Sequence, residues 1–193
     1  DYWASISSVV STPGVTSIGE CAFWGCELTE VNLPDSLISI GGCIFSSCDK
    51  LQSIFIPSGV ASINSDAFNW CSGLQAIYVS SDNEYFKSVD GVLFDRNMSR
   101  ILCCPEGISG EYTIPGSVTS IGEYAFCWCS ALKSVTFLGD MPEIASDGFL
   151  GVTAAVHYPL GNATYTAANM LGYGGKLSWD AAITESPANV TVK

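Results

Sequence analysis

Apolar side chains return along this chain at fixed offsets rather than in helical faces. In Pro34 to Ile56, PDSLISIGGCIFSSCDKLQSIFI, a Ser-Ile pair is followed by Phe, then Cys, then Leu, then an alternating Ile-Phe-Ile. The same order recurs in PSGVASINSDAFNWCSGLQAIYV from Pro57 and in PGSVTSIGEYAFCWCSALKSVTF from Pro115. A version two residues shorter starts at Pro13, PGVTSIGECAFWGCELTEVNL. Two short extended pieces stand out in each unit. One is V-x-S-I-G, as in Val118 to Gly122; the other is L-x-x-V-x-F, as in Leu132 to Phe137, where period-two alternation predicts a half-buried strand. The A-F-x-x-C segment between them is expected to turn the chain.

Phe23 to Phe45 is 22 residues and Phe45 to Phe68 is 23, with Cys three residues after each Phe. A unit of this size cannot bury its own apolar positions. Stacked units can, each column of like residues lying on its copy one coil away. The repeat pattern S-I-G-x-x-A-F-x-x-C-x-x-L-x-x-V resembles the BspA-like leucine-rich repeat of bacterial surface and secreted proteins, over roughly residues 5 to 159. That resemblance implies a right-handed, β-rich horseshoe with the L-x-x-[VI]-x-[FIV] strands lining its concave sheet. About six coils are expected, with Ile6 to Val9 the tail of a preceding unit and Met141 to Pro159 a worn last copy around Phe149.

The rhythm breaks once. Phe68 to Phe126 is 58 residues, not a multiple of the period. Within an insert of about residues 80–111, Gly91 to Phe94 and Ile101 to Cys104 flank the polar run DRNMSR, which predicts a β-hairpin; Tyr112 to Pro115 then re-enters register. The expected organisation is therefore repeats over 1–159, a small C-terminal cap over 160–182 with a short helix at Thr164 to Leu171 and a strand at Lys176 to Trp179, and a linker or tail over 183–193 that suggests a longer protein.

Composition narrows the function. The chain carries 48% hydrophobic residues, 13% charged residues and a formal net charge of −12. Such a surface repels phosphate backbones and anionic headgroups, which argues against nucleic acid and against membrane surfaces. There is no apolar run long enough to insert in a bilayer. A monomer is expected.

Catalytic equipment is sparse. His157 is the only histidine, on an outward strand position with no nucleophile motif beside it. Gly172 to Lys176 fails the phosphate-loop pattern at both ends, and the acidic residues lack calcium-loop spacing. No enzyme activity, cofactor or metal is expected. The nine cysteines sort by column. Cys26, Cys48, Cys71 and Cys129 sit three after the repeat Phe, and Cys21 and Cys43 two before it. They are read as buried, unbridged packing thiols, because parallel strands about 4.8 Å apart hold Cβ atoms further apart than the roughly 3.8 Å of a disulfide. Adjacent Cys103 and Cys104 should point to opposite faces. In FCWC (126–129), Cys129 belongs to the ladder, while Cys127 stands at a variable position expected to be exposed.

What remains is surface. The outward position of each long strand reads Asn32, Phe55, Tyr78, Thr113, Thr136 and His157, and two before it Glu30, Ser53, Ala76 and Ser134. Phe55 and Tyr78 on neighbouring strands would form an exposed aromatic pair able to anchor a protein or stack on a sugar. Ordinary cross-strand packing is the other reading, and the sequence leaves the two open. The family resemblance implies an extracellular, surface-attached or secreted binding module for adhesion to a host or neighbouring-cell protein. The alternatives are a structural spacer presenting other domains and a glycan-binding module, the latter favoured by Phe55 and Tyr78.

Overall fold

The computed structural model describes residues 6–10 and 13–183. In chain order, β1 (Ser8–Val10) is followed by three short–long pairs: β2 (Ser17–Ile18) and β3 (Glu30–Asn32), β4 (Ser39–Ile40) and β5 (Ser53–Ile56), β6 (Ser62–Ile63) and β7 (Ala76–Val79). The insert supplies β8 (Phe86–Val89), β9 (Val92–Asp95) and β10 (Arg100–Cys103), and β11 (Gly110–Ile114) returns to the repeat. Then come β12 (Ser120–Ile121), β13 (Leu132–Phe137), β14 (Glu143–Ile144), β15 (Thr153–Pro159) and β16 (Lys176–Ile183). No helix occurs among the described residues, and the chain winds through about seven turns of β-solenoid.

Like pairs with like. Ser17, Ser39 and Ser62 align across β2, β4 and β6, as do Ile18, Ile40 and Ile63. On the long strands β1 pairs β3, β5 pairs β7, and β11, β13, β15 and β16 form one parallel ladder. The pairing of β1 with β3 establishes the Ile6 to Val9 segment as the end of a preceding unit. Inside, the repeat phenylalanines stack ring on ring: Phe23 to Phe45 at 5.8 Å, Phe45 to Phe68 at 5.9 Å, and Phe126 to Phe149 at 4.6 Å, all within 11° of parallel. Offset stacking of this kind adds to the burial of each ring. It also establishes Phe149 as the centre of a true last copy.

The insert divides the core in two. β9 and β10 form the antiparallel hairpin that the DRNMSR run predicts. Its turn is closed by Asp95, whose carboxylate accepts from Ser99 N and Arg100 N, both at 2.7 Å, and from Ser99 Oγ at 2.6 Å. The hairpin extends to a third strand that sequence reasoning passed over, β8, joined to β9 through Asp90-Gly91. Both turn residues have positive φ, 51° and 80°, the geometry of a tight hairpin turn for which Asp-Gly is a strong signal. β9 is fully buried on both faces. Leu93 packs into the core of the first coils, whereas Val92 and Phe94 pack into the core of the later ones. Cys103 and Cys104 split in the same way, facing opposite cores. β10 then pairs parallel with β12, so the insert replaces a repeat coil rather than hanging outside the stack.

One buried polar side chain ties this device down. Asn83 is wholly buried. Its Nδ2 donates to Pro57 O at 2.8 Å and Val60 O at 2.9 Å, and its Oδ1 accepts from Tyr85 N at 2.9 Å and Phe86 N at 2.8 Å. All four bonding capacities of the amide are used, joining the start of β8 to the turn one coil back.

The C-terminal segment departs from expectation. Thr164 to Leu171 forms no helix. Its polar side chains hold the backbone in turns instead: Asn169 Oδ1 accepts from Thr166 N at 2.8 Å, Asn169 Nδ2 donates to Thr164 O at 2.8 Å, and Asn162 Oδ1 accepts from Thr164 N at 3.0 Å. Such local bonds compete with helix formation. Tyr165 and Trp179 pack against Phe137, and β16 joins β15 in parallel register, continuing the long-strand ladder. The tail reading over residues 184–193 lies outside the described residues.

Replacing Asn83 by Asp keeps the shape but aims a carboxylate at two carbonyl oxygens and removes both donors. We expect a loss of about 2–5 kcal/mol in folding stability, from lost and unpaired buried hydrogen bonds. Urea unfolding measures it; a midpoint equal to wild type would show that Asn83 does not anchor the insert.

Candidate functional site

The long-strand face carries the candidate contact residues, and the register shows how they meet. Phe55 lies directly beside Tyr78 on β5 and β7, and both rings are about half exposed, 51% and 53%. Thr113, Thr136 and His157 are neighbours across β11, β13 and β15, continued by Asp180 on β16. Asn32 is exposed on β3 and donates to Glu30 Oε1 at 3.1 Å. The six positions are thus equivalent, yet the structure divides them. Phe55 and Tyr78 share one ladder, while Thr113, Thr136 and His157 share another beyond the insert. His157 is half-buried rather than on open surface, and its Nδ1 is enclosed without a hydrogen-bond partner among the described residues.

Between the two ladders the face opens into a cleft of about 620 Å³. Its lining includes Gln75, Asp90, Ser109, Glu111, Tyr112 and Thr113. The cause is the insert: the tip of the β8–β9 hairpin occupies the flank of β7, with Ile77 N donating to Gly91 O at 2.8 Å. Gly91 is needed there, since a Cβ would meet Ala76 at 3.1 Å on a left-handed backbone. On the other wall Gly107 N donates to Leu74 O at 2.7 Å, which holds the approach to β11 in place. Sequence reasoning found Thr113 but missed the other lining residues. The Asp-Gly turn was the signal that could have found them.

The cysteine ladder is confirmed as packing. Cys26, Cys48, Cys71 and Cys129 are buried, whereas the second column departs from the expected burial: Cys21 is exposed and Cys43 half-buried, both on left-handed turn positions. Cys48 Sγ donates to Phe23 O at 3.1 Å and Cys71 Sγ to Phe45 O at 2.9 Å, each reaching the repeat Phe of the coil before. Cys129 Sγ makes the corresponding contact to Cys104 O at 3.5 Å, because Cys104 stands in the Phe column of the insert coil. Burial pushes the Cys48 and Cys71 thiols up to about 12. All nine cysteines are free thiols in this structure.

Cys127 corrects the sequence reading. It is buried, not exposed, and burial raises its thiol to about 12. The residue that follows is left-handed in all four units, Gly25, Ser47, Trp70 and Trp128, so side-chain size is what separates the column. Ser46 is buried at the equivalent position, whereas the larger indole of Trp24 stays 58% exposed. Trp128 itself lies over Gly151 of the next coil, where an added Cβ would stand 2.5 Å from the ring.

Glu106 lies in the turn between β10 and β11. Its Oε2 is enclosed without a partner among the described residues. Burial, with the Asp49 carboxylate adding to it, raises the group to about 7.

No helix among the described residues is long and apolar enough to cross a membrane. The fold and its residue columns define a leucine-rich solenoid. The family model for the BspA type leucine rich repeat region matches in six copies over residues 2–95 and 108–167, and the chain belongs to that family. The break in the match, residues 96–107, takes in the β9–β10 turn and β10. Among solved structures, a leucine-rich cell-surface protein of Faecalibacterium prausnitzii A2-165 is 20% identical with a TM-score of 0.63, covering 93% of this chain and 61% of that one. A leucine-rich repeat protein of Eubacterium ventriosum ATCC 27560 is 21% identical with a TM-score of 0.58, covering 92% and 61%. The pneumococcal vaccine antigen PcpA is 24% identical with a TM-score of 0.60, covering 74% and 44%. The chain thus spans less than two thirds of the length of these relatives. No curated protein sequence matches this one.

Two measurements follow. In native protein near pH 8, iodoacetamide should modify exposed Cys21 while Cys48, Cys71 and Cys127 react only after unfolding, as shielded thiols of raised pKa must. Prompt native-state labelling of Cys127 in a peptide map would contradict its burial. For Glu106 the folded state holds the proton more tightly than the unfolded chain, with its ordinary value of 4.5. Its contribution is therefore full below pH 4.5 and lost as pH rises through about 7. Thermal unfolding of wild type should fall relative to Glu106→Gln across that window and run parallel to it above; a constant difference at every pH would remove Glu106 as the cause.

Proposed function

We propose that this chain is a non-catalytic recognition module of an exported bacterial surface protein, serving adhesion through its long-strand face. The observation that carries the reading is the in-register pair Phe55 and Tyr78, which exposes two large rings on a rigid sheet. Apolar rings that could have packed inward stay in water at a cost, and rigid exposed aromatics are the residues on which binding energy concentrates. The partner is a molecule displayed by a host or neighbouring cell. The shared fold of a protein described as a cell-surface protein supports the location.

A spacer that presents other domains is the second reading. It is favoured by the small side chains Ser53, Ala76, Ser134 and Ala155, which stand two residues before the outward column on their strands and offer little to grip. Binding to intact bacterial and epithelial cells, and to immobilised matrix proteins, separates the two. Phe55→Ala with Tyr78→Ala should abolish binding without lowering the unfolding midpoint, whereas Trp24→Ala away from that face should not. Binding that survives the double variant removes Phe55 and Tyr78 as the contact, and no wild-type binding at all favours the spacer.

A further inference from the structure

We infer that the cleft between the two long-strand ladders is a binding site for a neutral oligosaccharide. This rests on the recognition reading above and names its ligand class. The volume, about 620 Å³, lies in the roughly 300–1,000 Å³ range of small-ligand sites. Its chemistry is that of a polyol receptor. Asp90 and Glu111 supply carboxylate acceptors, Gln75 both donates and accepts, and Ser109 and Thr113 bring hydroxyls that do either. A sugar ring needs this mixture, because each of its hydroxyls is donor and acceptor at once.

The aromatic column shares the face. Gln75 leads directly into β7, where Tyr78 stands three residues on, beside Phe55; Thr113 holds the same column position one coil further. A pyranose presents an apolar C–H face to such rings while its hydroxyl edge turns to the polar cleft. No Lys, Arg or His lines the cleft, so sulfated or sialylated chains would place uncompensated negative charge against two carboxylates. The walls are preformed, fixed by the backbone bonds from Ile77 to Gly91 and from Gly107 to Leu74, and a ligand pays little to order them.

The test is a glycan array carrying neutral gluco-, galacto- and manno-oligosaccharides beside sialylated and sulfated ones, followed by calorimetry of the full chain with the strongest neutral hit and with an oligolysine peptide. Wild type should retain neutral glycans, with affinity insensitive to salt. Glu111→Gln, Gln75→Ala and Tyr78→Ala should each weaken it about tenfold or more, the cost of a lost charged hydrogen bond or stacking contact, with unchanged thermal unfolding. Silence of every neutral glycan at millimolar concentration overturns the inference, as does a hit unaffected by the three variants, or selective, steeply salt-dependent oligolysine binding. If the glycans fail while Phe55→Ala with Tyr78→Ala still abolishes cell binding, this inference falls alone and the recognition reading stands.

Discussion

Every feature of this molecule depends on one constraint: a coil of 22 or 23 residues has no core of its own, so each residue must lie on its copy one coil away. The constraint is enforced from the backbone outward. Phe23 N bonds to Ile44 O, Phe45 N to Ala67 O, and Phe126 N to Gly148 O, all between successive turns. With that register set, the phenylalanines must stack and the cysteine thiols must reach the Phe carbonyl of the previous turn. A thiol suits the place because it is small, tolerates burial and still donates weakly to the second lone pair of a carbonyl that already accepts the turn's own N–H.

The same constraint shows why the insert is not a surface ornament. Adding residues that do not match the period would break every column after it. The chain avoids this by putting β10 in the short-strand ladder, Cys104 in the Phe column and β11 in the long-strand ladder. The substitute coil is imperfect. Cys104 is far smaller than Phe, and Tyr112 leans in from the other side, its ring 5.9 Å from Phe126. Two cores therefore meet at β9 instead of one running through, and the long-strand face parts there into a cleft. Insert and cleft are one event seen from inside and outside.

What the sequence revealed follows from this physics. Columns are legible because stacking demands the same residue at the same offset, so the strand pairs, the Phe stack, the thiol ladder and the neighbourhood of Phe55 and Tyr78 could be read from spacing alone. Features set by three-dimensional accommodation were not legible. Cys127 looked exposed because its column holds Trp24, Ser46 and Asn69, and nothing in those mixed letters says that a small side chain there is buried as Ser46 is. Thr164 to Leu171 looked helical by composition, but Asn162 and Asn169 spend their amides on the local backbone. The cleft was hidden for a different reason: Gln75, Asp90 and Glu111 are scattered in sequence, and only the packing of the Asp90-Gly91 turn against Ala76 brings them to one opening.

The two halves of the face differ for a physical reason. A solenoid built only of identical coils offers a regular sheet, whose outward columns repeat at about 4.8 Å. Specific recognition needs a departure from that regularity, and departures are expensive wherever they disturb the stack. Here the disturbance is confined to one coil, held by a fully bonded Asn83 and a turn that needs Gly91, while the coils on either side keep strict register. The aromatic pair stands on the last regular strands before the break, and the polar groups stand inside it. An exposed aromatic pair and a polar cleft thus occur on one face without either having to be built into every repeat.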